Sequence, residues 1–247
     1  MKISIITVCY NSSNTIEKTI LSVKNQTHKN IEYIIVDGNS KDQTLAIIQK
    51  YKEVVSKWIS EPDRGLYDAM NKGIAMASGD LIGILNSDDV FNSTFVIEEI
   101  VDFHEKYDVD ASIGNIVQRK ENGKIVRLYS SKYWNPEKLR IGFMPPHPSI
   151  FFKKGLFPRL GVYDLGFKIG ADYELITRFF IKNKISWKYS GIVTTSMLVG
   201  GLSSSGSSSY KLITKEIQKA LTMNGILFSP LMIKMRFFWK LFGFLKK

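Results

Sequence analysis

Along the first half of the chain, short apolar runs end on polar turns, and between them the apolar spacing lengthens to that of a helix. KISIITVCY (2–10) is rich in β-formers and predicts a strand. Ile16, Ile20 and Val23 then recur at helical spacing, and Asn14 with Glu17 three residues on predicts a capping box. IEYIIVDG (31–38) predicts a second strand closing on Asp37-Gly38, followed by a helix over 42–55 and a short strand, KWISE (57–61). A helix is expected over 65–78, then a buried strand, DLIGIL (80–85). Strands joined by helical crossovers predict a parallel, doubly wound sheet of the α/β class. Ligands of such sheets bind beyond the carboxyl ends of the strands, where Asp37, Glu61, Asp88 and Asp89 all fall.

After a helix expected at 93–107 the rhythm changes. DASIGNIVQRK and KIVRLYS flank Glu121-Asn122-Gly123, an Asn-Gly hairpin signal. A proline-rich bend (144–148), a strand at SIFF, a helix near 171–183 and a strand pair around 185–198 follow. GGLSSSGSSS (200–209) reads as a mobile loop by composition. The expected organisation is one domain over 1–205, with halves 1–110 and 111–205, and a loop and tail over 206–247.

Composition narrows the classes. With 44% hydrophobic and 23% charged residues, the 247-residue chain has material for a real core. The single cysteine, Cys9, excludes an internal disulfide and suits a reducing compartment. ISIITV is too short for a leader, and no stretch reaches the ~20 apolar residues of a membrane span, so a cytoplasmic location is expected. Of the net charge of +11, residues 211–247 carry +7, from eight basic residues against Glu216 alone. A nearly balanced body with a basic apolar tail points away from nucleic acid and toward an anionic membrane surface.

In that tail, NGILFSPLMIKMRFFWKLFGFLKK (224–247), Pro230 suits the first turn of a helix. Leu231, Met235, Phe238, Leu241, Phe242 and Leu245 then follow helical spacing. Five basic residues make the segment too charged to span, so it is expected to lie in the membrane interface. Packing on its own domain or on a second subunit is the alternative.

The most chemical stretch is LNSDDVF (85–91). Two adjacent carboxylates resist burial unless something positive compensates them, and a capping turn or a divalent cation would each do so. Two other nucleotide chemistries are excluded. The first turn, VCYNSSN, lacks the glycines that admit a dinucleotide's pyrophosphate, and no glycine-rich phosphate loop of a nucleotidyltransferase lies near the start.

An ordered set of pieces resembles the family 2 glycosyltransferases of the A-type (GT-A) nucleotide-sugar fold. It comprises ITVCYN, IIVDGNSKDQT, EPDRGLYDAMNKGIAMASGDLIGILNSDDVF, PPHPSIFF and GADYELITRF, and the resemblance covers residues 2–205. The pattern is most similar to the bacterial subgroup that builds cell-surface polysaccharides such as colanic-acid-like capsules and O-antigens. It implies inverting transfer of a sugar from a nucleotide-diphosphate sugar, a UDP-sugar by expectation, to a hydroxyl of a lipid-linked glycan. Mg²⁺ or Mn²⁺ would absorb the charge developing on the departing diphosphate.

The resemblance also implies roles. Asp89 would ligate the metal, and Asp88 would approach the ribose or a metal-bound water. Asn-Ser-Asp-Asp stands where a fuller acidic D-x-D is common, which implies a single direct carboxylate ligand. Thr7 and Tyr10 would contact the base and Asn71 would reach it, while Arg64 and Lys72 would offset phosphate charge. Asp37 would accept from the base or ribose; a turn-forming role before Gly38 is its alternative. Asp172, in the ADY motif, would be the base that takes the acceptor's proton. His147 would line the acceptor site, or be merely structural. The rival reading is a non-catalytic, membrane-recruited nucleotide-sugar-binding module.

Overall fold

A computed structural model describes residues 1–120, 122–199 and 206–236, without the side chains of 206–208. The described residues form two compact units. The first comprises 1–132, 145–163 and 186–199; the second comprises 133–144, 164–185 and the described residues from 206 onward.

The first unit holds the whole described sheet. Its strands are β1 (Ile3–Cys9), β2 (Ile31–Asp37), β3 (Lys57–Ser60), β4 (Leu81–Ile84), β5 (Asp89–Phe91), β6 (Ala111–Arg119), β7 (Ile125–Tyr129), β8 (Ile150–Lys153) and β9 (Trp187–Leu198). They lie in the order β3-β2-β1-β4-β8-β6-β9-β5, with β7 paired to β6. The half built from β1 to β4 is parallel, as expected: Ile3 stands beside Ile31 and Leu81, and Ile34 beside Lys57. Beyond β4 the sheet is mixed, because β8 runs antiparallel to both β4 and β6 while β9 runs parallel to β6.

Helices α1 (Ile16–Lys24), α2 (Thr44–Lys50), α3 (Leu66–Met76), α4 (Val96–Tyr107) and α5 (Leu156–Leu160) belong to the same unit. Ile3, Ile5 and Cys9 of β1 cluster with Ile16 and Ile20 of α1, Ile48 of α2, and Val96, Ile97 and Ile100 of α4. The alternate residue Ile6 faces α3, where a Cβ on Gly73 would collide with its Cγ2. Helices therefore cover both faces of β1, the condition that makes its sequence almost continuously apolar.

Several local expectations are corrected. No capping box forms at α1: Thr15 is the N-cap residue, without a side-chain cap, and Glu17 instead accepts from Lys50 Nζ and Tyr51 OH of the α2 region, each at 2.7 Å. Helix α2 stops at Lys50 rather than 55, because Tyr51, Lys52 and Val54 donate to carbonyls three residues back and tighten the last turn. The strand pair near 185–198 is a single strand, β9, whose register against β6 shifts opposite 113–116 near Gly191 (φ 78°). Residues 206–209, expected in a loop, open helix α7 (Gly206–Met223), while 200–205 lie outside the described residues.

The second unit contains α6 (Ala171–Thr177), which continues into a π turn at Arg178–Lys182, together with α7 and the 3-10 segment Pro136–Ile141. Glu174 of α6 accepts from Arg178 and from Asn224 just past α7, so an acid of low exposure is fully paired.

The tail is helical over 230–236, with Pro230 in its first turn as expected. Its buried side chains are Ile233 and Arg236, while Leu231 and Met235 of the apolar stripe are 66% and 41% exposed. Arg236 Nη1 donates to Gly142 O at 3.1 Å and its guanidinium lies over the Tyr210 ring, so this cation belongs to the interior of the unit. Phe238, Leu241, Phe242 and Leu245 lie outside the described residues.

Candidate functional site

The carboxyl ends of the parallel strands carry Tyr10, Asp37 and the Asp88-Asp89 pair. Beyond β1, the Tyr10 ring is 62% exposed. A Cβ on Gly38 would meet Asp63 Oδ2 at 2.5 Å and Tyr10 Cδ2 at 3.4 Å, so this glycine lets both side chains close over the end of β2. Thr7 is fully buried inside β1, and its hydroxyl accepts from Tyr33 OH at 3.1 Å. Its side chain is therefore part of the core, and the expected base contact falls to its backbone.

Asp37 is placed where expected but turned inward. Its Oδ2 accepts from Ser40 N (2.9 Å) and Ser60 Oγ (2.7 Å), and its Oδ1 from Ser40 Oγ and the Cys9 thiol. Four donors saturate a fully buried carboxylate, so the turn-forming reading holds and Asp37 does not present itself to a base. Burial, and then this carboxylate, push the Cys9 thiol well up, which keeps it inert.

The LNSDD loop is tied down from α1. Thr19 Oγ1 donates to both Ser87 O (3.0 Å) and Asp89 O (2.8 Å), and Ser12 Oγ meets Ser87 Oγ at 2.9 Å. Neither Ser12 nor Thr19 was singled out from sequence, because their partners lie about seventy residues away. On this fixed loop the two carboxylates diverge. Asp88 is exposed, whereas Asp89 is 1% exposed and accepts from Asn86 Nδ2 at 3.2 Å. Burial, and then the charge of Asp88, push the Asp89 carboxyl up to about 7. Asp89 Oδ1 and Asn86 Oδ1 are buried oxygens without a hydrogen-bond partner.

The RGLYDAMNKG stretch forms the start of α3, and its polar residues serve several ends. Arg64 Nη2 and backbone N both bond Asp68, whose carboxyl is held low chiefly by that backbone N–H. Lys72 Nζ pairs with Glu61 at 2.8 Å, which raises its pKa, and lies 3.8 Å from Asp68. Arg64 remains 78% exposed on its side chain, and both cations sit on the rim beyond β3. Asn71 corrects its expected role: its Nδ2 donates to Tyr163 O (2.8 Å) and its Oδ1 accepts from Tyr163 N (2.9 Å). The amide thus clasps a backbone ninety-two residues away rather than reaching a base.

Tyr163 also stacks on Tyr67 of α3, with centroids 5.5 Å apart, and its hydroxyl meets His147 Nε2 at 2.7 Å. Burial lowers the His147 imidazole to about 4, so it is a neutral hydrogen-bonding group at pH 7. The proline-rich bend that carries it is pinned by Ser149 Oγ to Gly114 O and by Thr195 Oγ1 to Pro148 O.

In the second unit, Asp172 is the second residue of α6, half-buried, with Oδ1 accepting from Tyr173 N at 2.8 Å. Ahead of it, Glu216 of α7 accepts from the backbone N–H groups of Lys168 (2.8 Å), Ile169 (3.0 Å) and Gly170 (2.8 Å). Sequence reading registered Glu216 only as the lone acid of a basic segment.

A hard cation fits the chemistry of the 86–89 loop. Its donors are carboxylate and amide oxygens, two of them buried without a partner, and the exposed Asp88 carboxylate has room to take a ligand. Among the described residues no group of three or more His, Cys, Asp or Glu side chains could hold a metal unaided.

A family model described as "Glycosyl transferase family 2" matches residues 4–157, ending before Asp172. An uncharacterized glycosyltransferase of Mycobacterium tuberculosis is 36% identical over 179 residues, 71% of this chain and 68% of its own. A PGL/p-HBAD biosynthesis glycosyltransferase of Mycobacterium bovis is 27% identical over 90% of this chain and 84% of its own. Among solved structures, S. aureus TarS 1–349 in complex with UDP-GlcNAc matches with a TM-score of 0.72 at 18% identity, covering 90% of this chain and 66% of that one. The mannosyltransferase PcManGT of Pyrobaculum calidifontis, in complex with GDP-Man and Mn²⁺, gives 0.67 at 18% identity over 90% and 63%. The chain thus spans just under two thirds of the length of these solved chains, and the likeness at that identity is one of fold.

Proposed function

Because the chain belongs to glycosyl transferase family 2, we propose that it transfers a sugar, with inversion, from a UDP-sugar to a hydroxyl of a lipid-linked glycan during cell-surface polysaccharide synthesis. The observation that carries the reading is the Asp88-Asp89 pair, fixed by Thr19 at the carboxyl ends of parallel strands beside an exposed Tyr10.

In this reading the base stacks on Tyr10, and Arg64 and Lys72 exchange part of their pairing with Asp68 and Glu61 for phosphate oxygens. Asp88 and Asp89 would hold Mg²⁺ or Mn²⁺, with phosphate and water completing the shell; bound there, the cation neutralises charge on the leaving diphosphate. Asp88 would offer an accessible carboxylate oxygen, and Asp89, 1% exposed, would add its unpartnered Oδ1 from within the loop. Asp172 takes the proton of the acceptor hydroxyl as its oxygen bonds the anomeric carbon and the bond to the diphosphate breaks. UDP leaves with the electron pair.

The exposed Leu227, Leu231 and Met235 and the four lysines of 224–247 support a peripheral place at the inner face of the cell membrane, where a lipid-linked acceptor would be presented. Among the described residues no helix is long and apolar enough to cross a membrane.

A panel of nucleotide sugars with Mn²⁺ tests the proposal through thermal stabilisation and nucleotide release. One or more UDP-sugars should raise the melting temperature and be turned over. Stabilisation without any turnover, on hydrolysis or transfer, would favour the non-catalytic binding module instead.

A further inference from the structure

Helix α7 holds the segment that leads into α6 at two points one turn apart. The Glu216 carboxylate, 7% exposed, collects three consecutive backbone N–H groups, those of residues 168, 169 and 170. Three residues on, Lys219 Nζ donates to Gly166 O at 2.9 Å while lying 4.4 Å from the centroid of the Phe167 ring. A Cβ on Gly170 would stand 3.1 Å from Glu216 Cβ and 3.2 Å from its Oε2, so a glycine there permits the close approach. Gly170 is also the N-cap residue of α6, without a side-chain cap, and Asp172 follows two residues later.

Backbone donors are costly to leave without acceptors, so three of them aimed at one carboxylate leave this turn little freedom while Glu216 is present. We infer that Glu216 is a positioning residue: from α7, outside the family-matched segment, it fixes the turn at 168–170 and thereby the direction in which α6 presents Asp172. The inference rests on the reading of Asp172 as the acceptor base. It gives α7 a part in transfer itself, separate from any role of the tail at a membrane.

Glu216→Ala, Glu216→Gln and Asp172→Asn are compared in the full chain, with UDP affinity measured by calorimetry in Mn²⁺ and turnover measured on a UDP-sugar that the wild type consumes. Misplacement of a reacting group by about 1 Å costs up to roughly 10²-fold. Glu216→Ala should therefore lower kcat about ten- to a hundred-fold with donor KM and UDP affinity unchanged. Glu216→Gln, which keeps one acceptor oxygen, should recover part of that loss. Amide exchange should quicken at 168–170 in the alanine variant while the strands keep their protection. If Glu216→Ala does not fold, the comparison of Glu216→Gln with Lys219→Met carries the test, the glutamine variant losing the larger share of kcat. Wild-type turnover in a folded Glu216 variant, or a loss of UDP affinity that matches the loss of kcat, overturns the positioning role. Full turnover in Asp172→Asn would instead overturn the base assignment, whatever Glu216 does.

Discussion

Glu32 ties β1, β2 and β3 together at the end of the strands opposite the candidate site. It is 4% exposed at the start of β2, and it accepts from Ser4 Oγ (2.7 Å), Ser78 N and Oγ (2.6 Å each), and Lys57 Nζ (2.9 Å). Burial pushes its carboxyl up, but these hydrogen bonds outweigh burial and hold it well below the usual range. A depressed folded pKa means stability that is present above the unfolded value of about 4.5 and is lost as pH falls below it. Glu32→Gln leaves donors facing an amide and should cost about 2–3 kcal/mol near neutral pH. Denaturant titrations should show the gap between wild type and variant constant above about pH 5 and narrowing in acid. A gap that widened on acidification would contradict the assignment.

Residue identity did not always reveal orientation. Asp37 and Asn71 carry the residue types expected of nucleotide contacts, yet each is spent on backbone or hydroxyl groups of this chain. Their partners are set by topology: Ser60 lies on the neighbouring strand and Tyr163 beyond the proline-rich bend. A sequence lists donors and acceptors without saying which meet.

At the scale of elements, the helix at 230–236 uses one face inside its unit and leaves another outside. Ile233 is fully buried and Arg236 is bound to Gly142 O, whereas Leu231, Met232 and Met235 remain exposed. That division gives the membrane proposal a test that leaves packing intact. Leu231→Asp with Met235→Asp should cut pelleting with phosphatidylserine-containing vesicles severalfold, since each replaces burial worth about 1.5–3 kcal/mol with a charge repelled by the surface. Melting temperature and UDP affinity should stay unchanged. Equal pelleting of variant and wild type would sink this face as the membrane contact.

Helix α7 was hidden for a related reason. Gly206-Ser207-Ser208-Ser209 has poor helix propensity, and the burial of Ile217, Ala220 and Leu221 lower in the helix stabilises it. Tertiary packing overrides composition there. By contrast, β1, β2 and β4 were legible because strands buried on both faces are apolar throughout.

For the molecule as a whole, the ordered motifs identified the family and the parallel half of the sheet. The mixed half was less legible, since β8 at four residues and the bent β9 give short or interrupted periodicity. Of the site, the positions of Tyr10, Arg64, Lys72 and the Asp88-Asp89 pair at strand ends were readable. Which of the pair is buried was not, because both residues look alike until the fold separates them.

If the Asp88-Asp89 pair makes nucleotide binding depend on a divalent cation, calorimetry of UDP with and without Mn²⁺ will read that dependence. Wild-type protein should bind UDP at least about tenfold more tightly with Mn²⁺ than in chelator, a difference of about 1.4 kcal/mol. Asp88→Asn should fold normally and lose that difference, binding UDP equally in both conditions. Undiminished Mn²⁺-dependent affinity in folded Asp88→Asn protein would contradict the account.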